Sequence, residues 1–306
     1  MPLDELRGYP IEFIPKGKYM NIHGCDCSIV IKTTDREMDV PYSEETLREA
    51  VSLLFEEAST EGDGVSRAIR KSCGTTGCVV TPLTIGTAPL LLYLAFGSMG
   101  LPVYVSETRN VYTFHLNLVP MEDTGLFDLV QDRGGERVLY ESCRVKGFEL
   151  RFDRDETVKL KLDISGDYPP FVYPYKDTFK PETGERFYGD CVSYKINGQE
   201  YTNIYGLTLL TKKEGETKTE LWIKRVLEGG PDLPHIIDEM TITAQLLRDT
   251  YEYRYFGMFR LTLKRLVLTS DETNVDSSGP VIGPLRYYVA DTVTAETFTS
   301  PDGSMG

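Results

Sequence analysis

The sequence predicts a mainly β protein, a β-barrel or β-sandwich with one or two flanking helices, long loops and terminal arms. Three observations predict it. Phe148, Leu150 and Phe152 alternate with Glu149, Arg151 and Asp153. After the turn Asp153-Arg154-Asp155-Glu156, Val158, Leu160, Leu162 and Ile164 alternate with Lys159, Lys161 and Asp163. Period 2 gives strands with one buried and one wet face. Asn197-Gly198 joins two further alternating segments, which is a strong two-residue hairpin signal. From Val103 onward almost every apolar run reads as strand.

Taken in order, Met1–Gly24 reads as an extended arm (residues 1–24), and residues 25–299 as one β domain or two related β units. Ser28–Thr34 reads as a strand. Ser43 is placed to cap a helix, with Glu44 and Glu45 in its first turn. Leu47, Val51, Leu54 and Phe55 recur at helical spacing, so Ser43–Ala58 is predicted to be an amphipathic helix. Val65–Lys71 reads as a helical turn, Gly74–Gly77 as a break and Cys78-Val79-Val80 as a strand. A second helix is predicted from Thr87, with Pro89 in its first turn and Gly97 at its end.

Strands are then predicted at Val103–Ser106, Tyr112–Val119, Gly125–Val130, Val138–Ser142, Val145–Asp153 and Val158–Ile164. Tyr168–Phe187 holds four prolines among aromatics, which forbids a central strand. It is either a surface loop or an arm laid on a neighbouring subunit. Strands resume at Cys191–Ile196, Glu200–Leu210, Thr217–Val226, Met240–Leu247, Tyr253–Thr269 and Leu285–Phe298. Leu261 and Leu263 are out of phase with Leu266 and Leu268, so a bulge or bend is predicted near Arg265. Val145-Lys-Gly147-Phe-Glu-Leu150 is echoed by Ile204-Tyr-Gly206-Leu-Thr-Leu209, each followed by a charged turn. Ser300–Gly306 reads as a flexible tail (residues 300–306).

The chain has 306 residues, with 33 Lys+Arg against 47 Asp+Glu and a net charge of −14. That balance argues against a nucleic-acid grip and against adsorption to an anionic membrane. Met1–Tyr9 is polar and carries Asp4 and Glu5, so no secretory leader is read. The longest apolar run, Ala88–Gly97, falls short of the roughly 20 residues of a bilayer span. The chain therefore reads as soluble and made in a cytoplasm, where reduced thiols are the default for its six cysteines. Cys25-x-Cys27 with Cys73-x4-Cys78 is a zinc candidate whose spacing departs from the usual Cys-x2–4-Cys. Buried thiols acting as small hydrophobes are the alternative.

Catalytic signatures are sparse. There is no P-loop, no His-Glu-x-x-His and no Gly-x-Ser-x-Gly. The three histidines, His23, His115 and His235, lie far apart in sequence. His115 falls within a predicted strand, as a hydrogen-bonded sheet residue. Trp222 falls on the polar side of its strand beside Glu220 and Lys224, an interface candidate or a partly buried ring. No catalytic residue and no cofactor site is assigned.

One stretch resembles a family. Ile85-Gly-Thr-Ala-Pro-Leu-Leu-Leu-Tyr-Leu-Ala-Phe-Gly-Ser98 is followed by Tyr112-Thr-Phe-His-Leu-Asn-Leu118. Then Tyr140-Glu-Ser-Cys143 turns into Val145-Lys-Gly-Phe-Glu-Leu150, and the strand Val158–Ile164 ends at Gly166. This order resembles phage tail tube proteins (major tail proteins) and the related tubes of prophages and gene transfer agents. The resemblance covers about 80 residues.

It implies a tail-tube-type β fold whose subunits self-assemble into rings, six per ring or three if each chain holds two units. Stacked rings would form a virion tail tube, assembled in the bacterial host cytoplasm. Its partners would be further copies of itself, the tape-measure protein, and tail terminator and tail-tip proteins. DNA would pass through an acidic lumen during ejection, and Glu149, Asp153 and Asp163 are the lumen-facing candidates. A tail-tip or adaptor ring protein is one alternative, and a cysteine-cluster metalloprotein or enzyme another.

Overall fold

The computed structural model describes residues 27–34, 37–56, 67–99, 103–106, 111–133, 137–172, 185–226, 232–249, 254–271 and 282–299. The predicted arm (1–24), the tail (300–306) and most of the proline-rich insertion lie outside them. In chain order, β1 is Cys27–Lys32, β2 Glu37–Val40, β3 Glu44–Glu45, β4 Arg48–Glu56 and β5 Arg67–Pro82. The helix α1 (Ala88–Phe96) precedes β6 (Gly97–Met99), β7 (Val103–Ser106), β8 (Val111–Leu118), β9 (Phe127–Arg133), β10 (Arg137–Asp153), β11 (Lys159–Gly166) and β12 (Phe171–Val172). Then come β13 (Val192–Ile196), β14 (Gln199–Tyr201), β15 (Ile204–Lys212), β16 (Lys218–Val226), β17 (Ile236–Asp249), β18 (Arg254–Asp271), β19 (Ile282–Val289) and β20 (Val293–Thr299).

All ladders are antiparallel. The long strand β10 is one hub. Its first half pairs with β9, which leads to β1 and β2; its second half lies between β11 and β15. The other hub is β18. Gly257–Leu263 pair with β20, Leu266–Asp271 with β19, and β17 runs along the opposite edge. The switch occurs at Arg265, which has φ 55°. The predicted phase change at that residue is thus the point where β18 changes neighbours. Among the described residues the ladders close no ring, so the sheet is open and branched and the barrel alternative is not realised.

The open sheet curls into two wings that share one core. Phe148, Leu150, Phe152, Leu160, Leu162 and Ile164 are all buried, as their alternation predicts. Phe152 of the first wing meets Phe259 of the second at 6.0 Å between ring centroids, and Phe187 packs edge-on to Phe259 at 5.1 Å. The helix α1 is apolar all round and packs on β8, β10 and β20, with Phe96 stacked on Phe148 at 5.4 Å. Its predicted end holds: Gly97 adopts φ 92° and its N–H closes on the Tyr93 carbonyl. The Thr87 hydroxyl does not cap a helix N–H; it bonds Thr84, 2.9 Å between the two Oγ1 atoms.

Over its described part, residues 43–56, the predicted helix at Ser43–Ala58 is replaced by the strands β3 and β4. β4 pairs with β5 from Arg48↔Thr76 to Glu56↔Arg67, and the Ser43 N–H bonds the Val80 carbonyl. Of the supposed apolar stripe, Leu47 enters the core whereas Val51 is exposed. A full-length partner strand outweighs a local helical period, as tertiary pairing commonly does. Arg67–Lys71, predicted as a helical turn, also belong to β5. So does Gly74–Gly77, which does not break the chain. Gly74 (φ 110°) and Gly77 (φ 151°) let β5 run on as a bulged strand; a Cβ on Gly74 would strike the Gly166 carbonyl oxygen.

The sequence echo is a structural one. β10–β11 and β15–β16 are hairpins with equivalent bulges, between Val145 and Gly147 and between Ile204 and Gly206. They lie side by side through β10–β15 with Leu150 opposite Leu209, both fully buried. A local two-fold axis passes between that pair. Gly147 faces Lys212 as Gly206 faces Asp153. The Lys213 N–H bonds the Lys146 carbonyl as the Arg154 N–H bonds the Tyr205 carbonyl.

The Asn197-Gly198 turn is present, with φ 49° and 81°. Asn197 also caps the neighbouring edge: its Oδ1 accepts the Asp238 and Glu239 N–H groups at 3.1 and 3.0 Å. Asn197→Ala is expected to cost about 1–2 kcal/mol, from the left-handed backbone and two lost hydrogen bonds. Asn197→Gly should lose less, since it keeps the turn. Urea unfolding of both variants checks this; an Asn197→Ala midpoint equal to the parent's would refute the cap.

Candidate functional site

Because the wings pack core face to core face, their wet faces point apart. The first face belongs to β5, β11, β10, β15, β16 and β19. It carries Glu149, Asp153 and Asp163, and each lies against a cation. Glu149 bonds Arg151, Asp153 Oδ1 lies 2.9 Å from Lys224 Nζ, and Asp163 Oδ1 lies 3.5 Å from Lys161 Nζ. Register places Lys161 opposite Glu149 as well. These carboxylates form a charge-compensated lattice; Arg151 and Lys161, which alternation puts on the same face, partner Glu149 and Asp163, whereas the partner of Asp153, Lys224, comes from β16.

Trp222 lies on the same face, half-buried. Its Nε1–H donates to Glu220 Oε2 at 3.2 Å, and the Arg286 guanidinium sits 4.5 Å from the ring centroid. One row away, Tyr288, Val267 and Ile236 are direct cross-strand neighbours on β19, β18 and β17. Their exposures are 37, 38 and 61 %. No sequence signal marked this apolar row, because its members come from three strands joined only by register.

The second face belongs to β13, β17, β18, β20 and β8. Thr241, Thr262, Thr294 and Asn117 follow one another across four strands in register. Carboxylates lie beside or opposite three of its cations. Arg260 Nη1 lies 3.4 Å from Glu296 Oε2, Lys264 stands opposite Glu239 and Lys195 opposite Glu200. His115, the predicted sheet histidine, places Nδ1 3.1 Å from Glu296 Oε1. The face encloses a shallow hollow of about 600 Å³.

Of the four zinc candidates, Cys27, Cys73 and Cys78 have described strand positions. Cys73 and Cys78 stand five residues apart on β5, about 17 Å along an extended strand, whereas two thiolates on one zinc lie about 4 Å apart. Cys27 is in β1, separated from β5 by β9, β10 and β11. Cys25 lies outside the described residues. Cys78 Sγ instead lies 3.3 Å from Thr46 Oγ1. Among the described residues no group of three His, Cys, Asp or Glu side chains is placed to hold a metal ion.

Two ionisable groups with buried polar atoms stand apart from both faces. Asp39 on β2 has both carboxylate oxygens buried without a hydrogen-bond partner, and burial pushes it up to about 6. Lys213 is fully buried, with its Nζ donating to the Phe96 carbonyl at the end of α1 at 3.0 Å; burial lowers it to about 7. No protein-family model matches the chain, and no curated protein is significantly similar to it.

Proposed function

We propose that this chain is a structural subunit of a phage-like tail tube, which assembles into rings and stacks them around a channel. The observation that carries this reading is the architecture. Two broad, charge-compensated sheet faces stand back to back, braced by one buried helix. Among the described residues β2, β4, β7, β12 and β14 have a ladder on one side only, so several strand edges are open to pairing with another chain. The motif run from Ile85 to Gly166 supplies the resemblance, and its helix and paired strands hold together around one core.

The protein's work in this reading is assembly, with the tape-measure protein held in the channel and DNA conducted through it. A net charge of −14 per subunit gives the assembly an overall field that repels phosphate. Negative-stain microscopy of the purified protein at rising concentration is expected to show rings with a central hole and stacks of them. A protein that stays strictly monomeric at millimolar concentration, by light scattering, would defeat the proposal.

A further inference from the structure

The two wet faces differ in what they are finished for, and we infer that the threonine-lined face of β13, β17, β18, β20 and β8 is the channel wall of the assembled ring. This rests on the tube reading above and adds which surface the channel sees.

A wall past which a polyanion slides must offer phosphate no uncompensated cation, because each phosphate contact releases counterions and adds affinity. The second face meets that condition. Arg260 is paired with Glu296, and register sets Lys195 opposite Glu200 and Lys264 opposite Glu239, so carboxylates stand beside these three cations. Between them, Thr241, Thr262 and Thr294 form a row of hydroxyls. Hydroxyls hold water and exchange hydrogen bonds with it at little cost. The surface is hollowed, as a channel wall is when viewed from inside. None of the exposed large hydrophobic side chains among the described residues lines the hollow; Ile236 and Val267 stand beyond the irregularity at Asp238 and Arg265, at the end of β17 and β18 that adjoins β19.

The first face is charge-compensated as well, and differs in its apolar surface. Where it meets the ends of β18 and β17, Tyr288 continues into an exposed, contiguous row with Val267 and Ile236, and Trp222 with its stacked Arg286 lies beside it. Aromatic and Arg side chains around an apolar row are the composition of a protein-contact surface. A channel lined this way would present apolar surface to whatever passes. Glu149, Asp153 and Asp163, the lumen candidates that the resemblance implies, belong to this face and would lie away from the channel in this assignment.

Thiol labelling separates the assignments. Thr241→Cys, Thr262→Cys and Lys161→Cys are assembled into tubes and treated with a small maleimide or with one carrying a long polyethylene glycol chain. Site-specific modification is read by peptide mass spectrometry, so native cysteines do not interfere. Cysteines at 241 and 262 are expected to react with the small reagent as fast in tubes as in monomers, and at least tenfold more slowly with the bulky one. Equal reaction with both reagents would place this face outside the tube, and protection from both would bury it between subunits; either overturns the inference. So does the channel signature at position 161. Thr294→Cys replaces any variant that fails to fold. If the parent protein forms no rings or tubes, the tube reading falls and the channel wall with it; tubes with the wrong labelling pattern overturn the wall alone.

Discussion

Lys213→Met is expected to stabilise the protein at pH 6 by about 1–4 kcal/mol, the range seen when buried charged groups are replaced by apolar ones. The Lys213 ammonium has no exposed surface, and its one hydrogen bond goes to the Phe96 carbonyl. That carbonyl also accepts the Val119 N–H, so methionine leaves it partnered. The sign of the pH dependence follows from the lowered value. Below about 7 the amine is charged in both folded and unfolded chains, and the folded chain bears the full burial cost. Between about 7 and 10.5 the unfolded chain binds the extra proton, so stability rises with pH. The advantage of Lys213→Met should therefore shrink from pH 7 to pH 10. Urea unfolding at pH 6, 8 and 10, at one low protein concentration, measures it. A gap that is constant across that range, or a variant less stable at pH 6, would show that Lys213 is not a buried titrating amine.

Nothing in the sequence marks Lys213 as buried. It sits in a charged turn, Lys212–Glu216, where solvent exposure is the ordinary reading. Its burial comes from α1, whose end is brought over the β15–β16 turn by packing that only the tertiary fold supplies. The same limit explains the helix read at Ser43–Ala58, where a period of 3.6 along one strand says nothing of the partner that β5 provides. What was legible had a local cause. Alternation placed the core faces of β10 and β11, Asn197-Gly198 set its hairpin, Gly97 ended α1, and the phase change at Arg265 located the switch in β18. Glu149, Asp153 and Asp163 were correctly placed on a wet face. Which wet face does what depends on cross-strand register, and register is not written in any one segment.

Phe259→Ala is expected to lower stability by about 3–5 kcal/mol, the cost of emptying a buried aromatic site. Phe259 touches Phe152 across the interior and Phe187 edge-on, so its ring is where the two wings meet. The same truncation at exposed Tyr288 should cost less than about 1 kcal/mol in the isolated subunit, since surface changes usually fall within about half a kcal/mol. Urea midpoints of the two variants at pH 7 make the comparison. A Phe259→Ala loss below about 1 kcal/mol would mean that the wings are not held together through this ring. Loss of assembly in Tyr288→Ala, with the subunit still folded, would assign that row to subunit contact.

The open, branched pairing has a consequence for the order in which the protein is completed. β8 is synthesised early, yet among the described strands its long ladder is with β20, the last of them. The helix α1 packs on both. A growing chain, which folds its earlier segments first, thus carries α1 and β8 past the making of a dozen further strands before their seat exists. The β10–β11 hairpin closes locally, and its twin β15–β16 can dock on it as soon as it emerges. The closing ladder comes last, bridging the largest separation in the sheet at the greatest loop-closure cost. Until β20 arrives, the molecule has its first wing but not the second outer face, so the threonine-lined face exists only once the domain is whole.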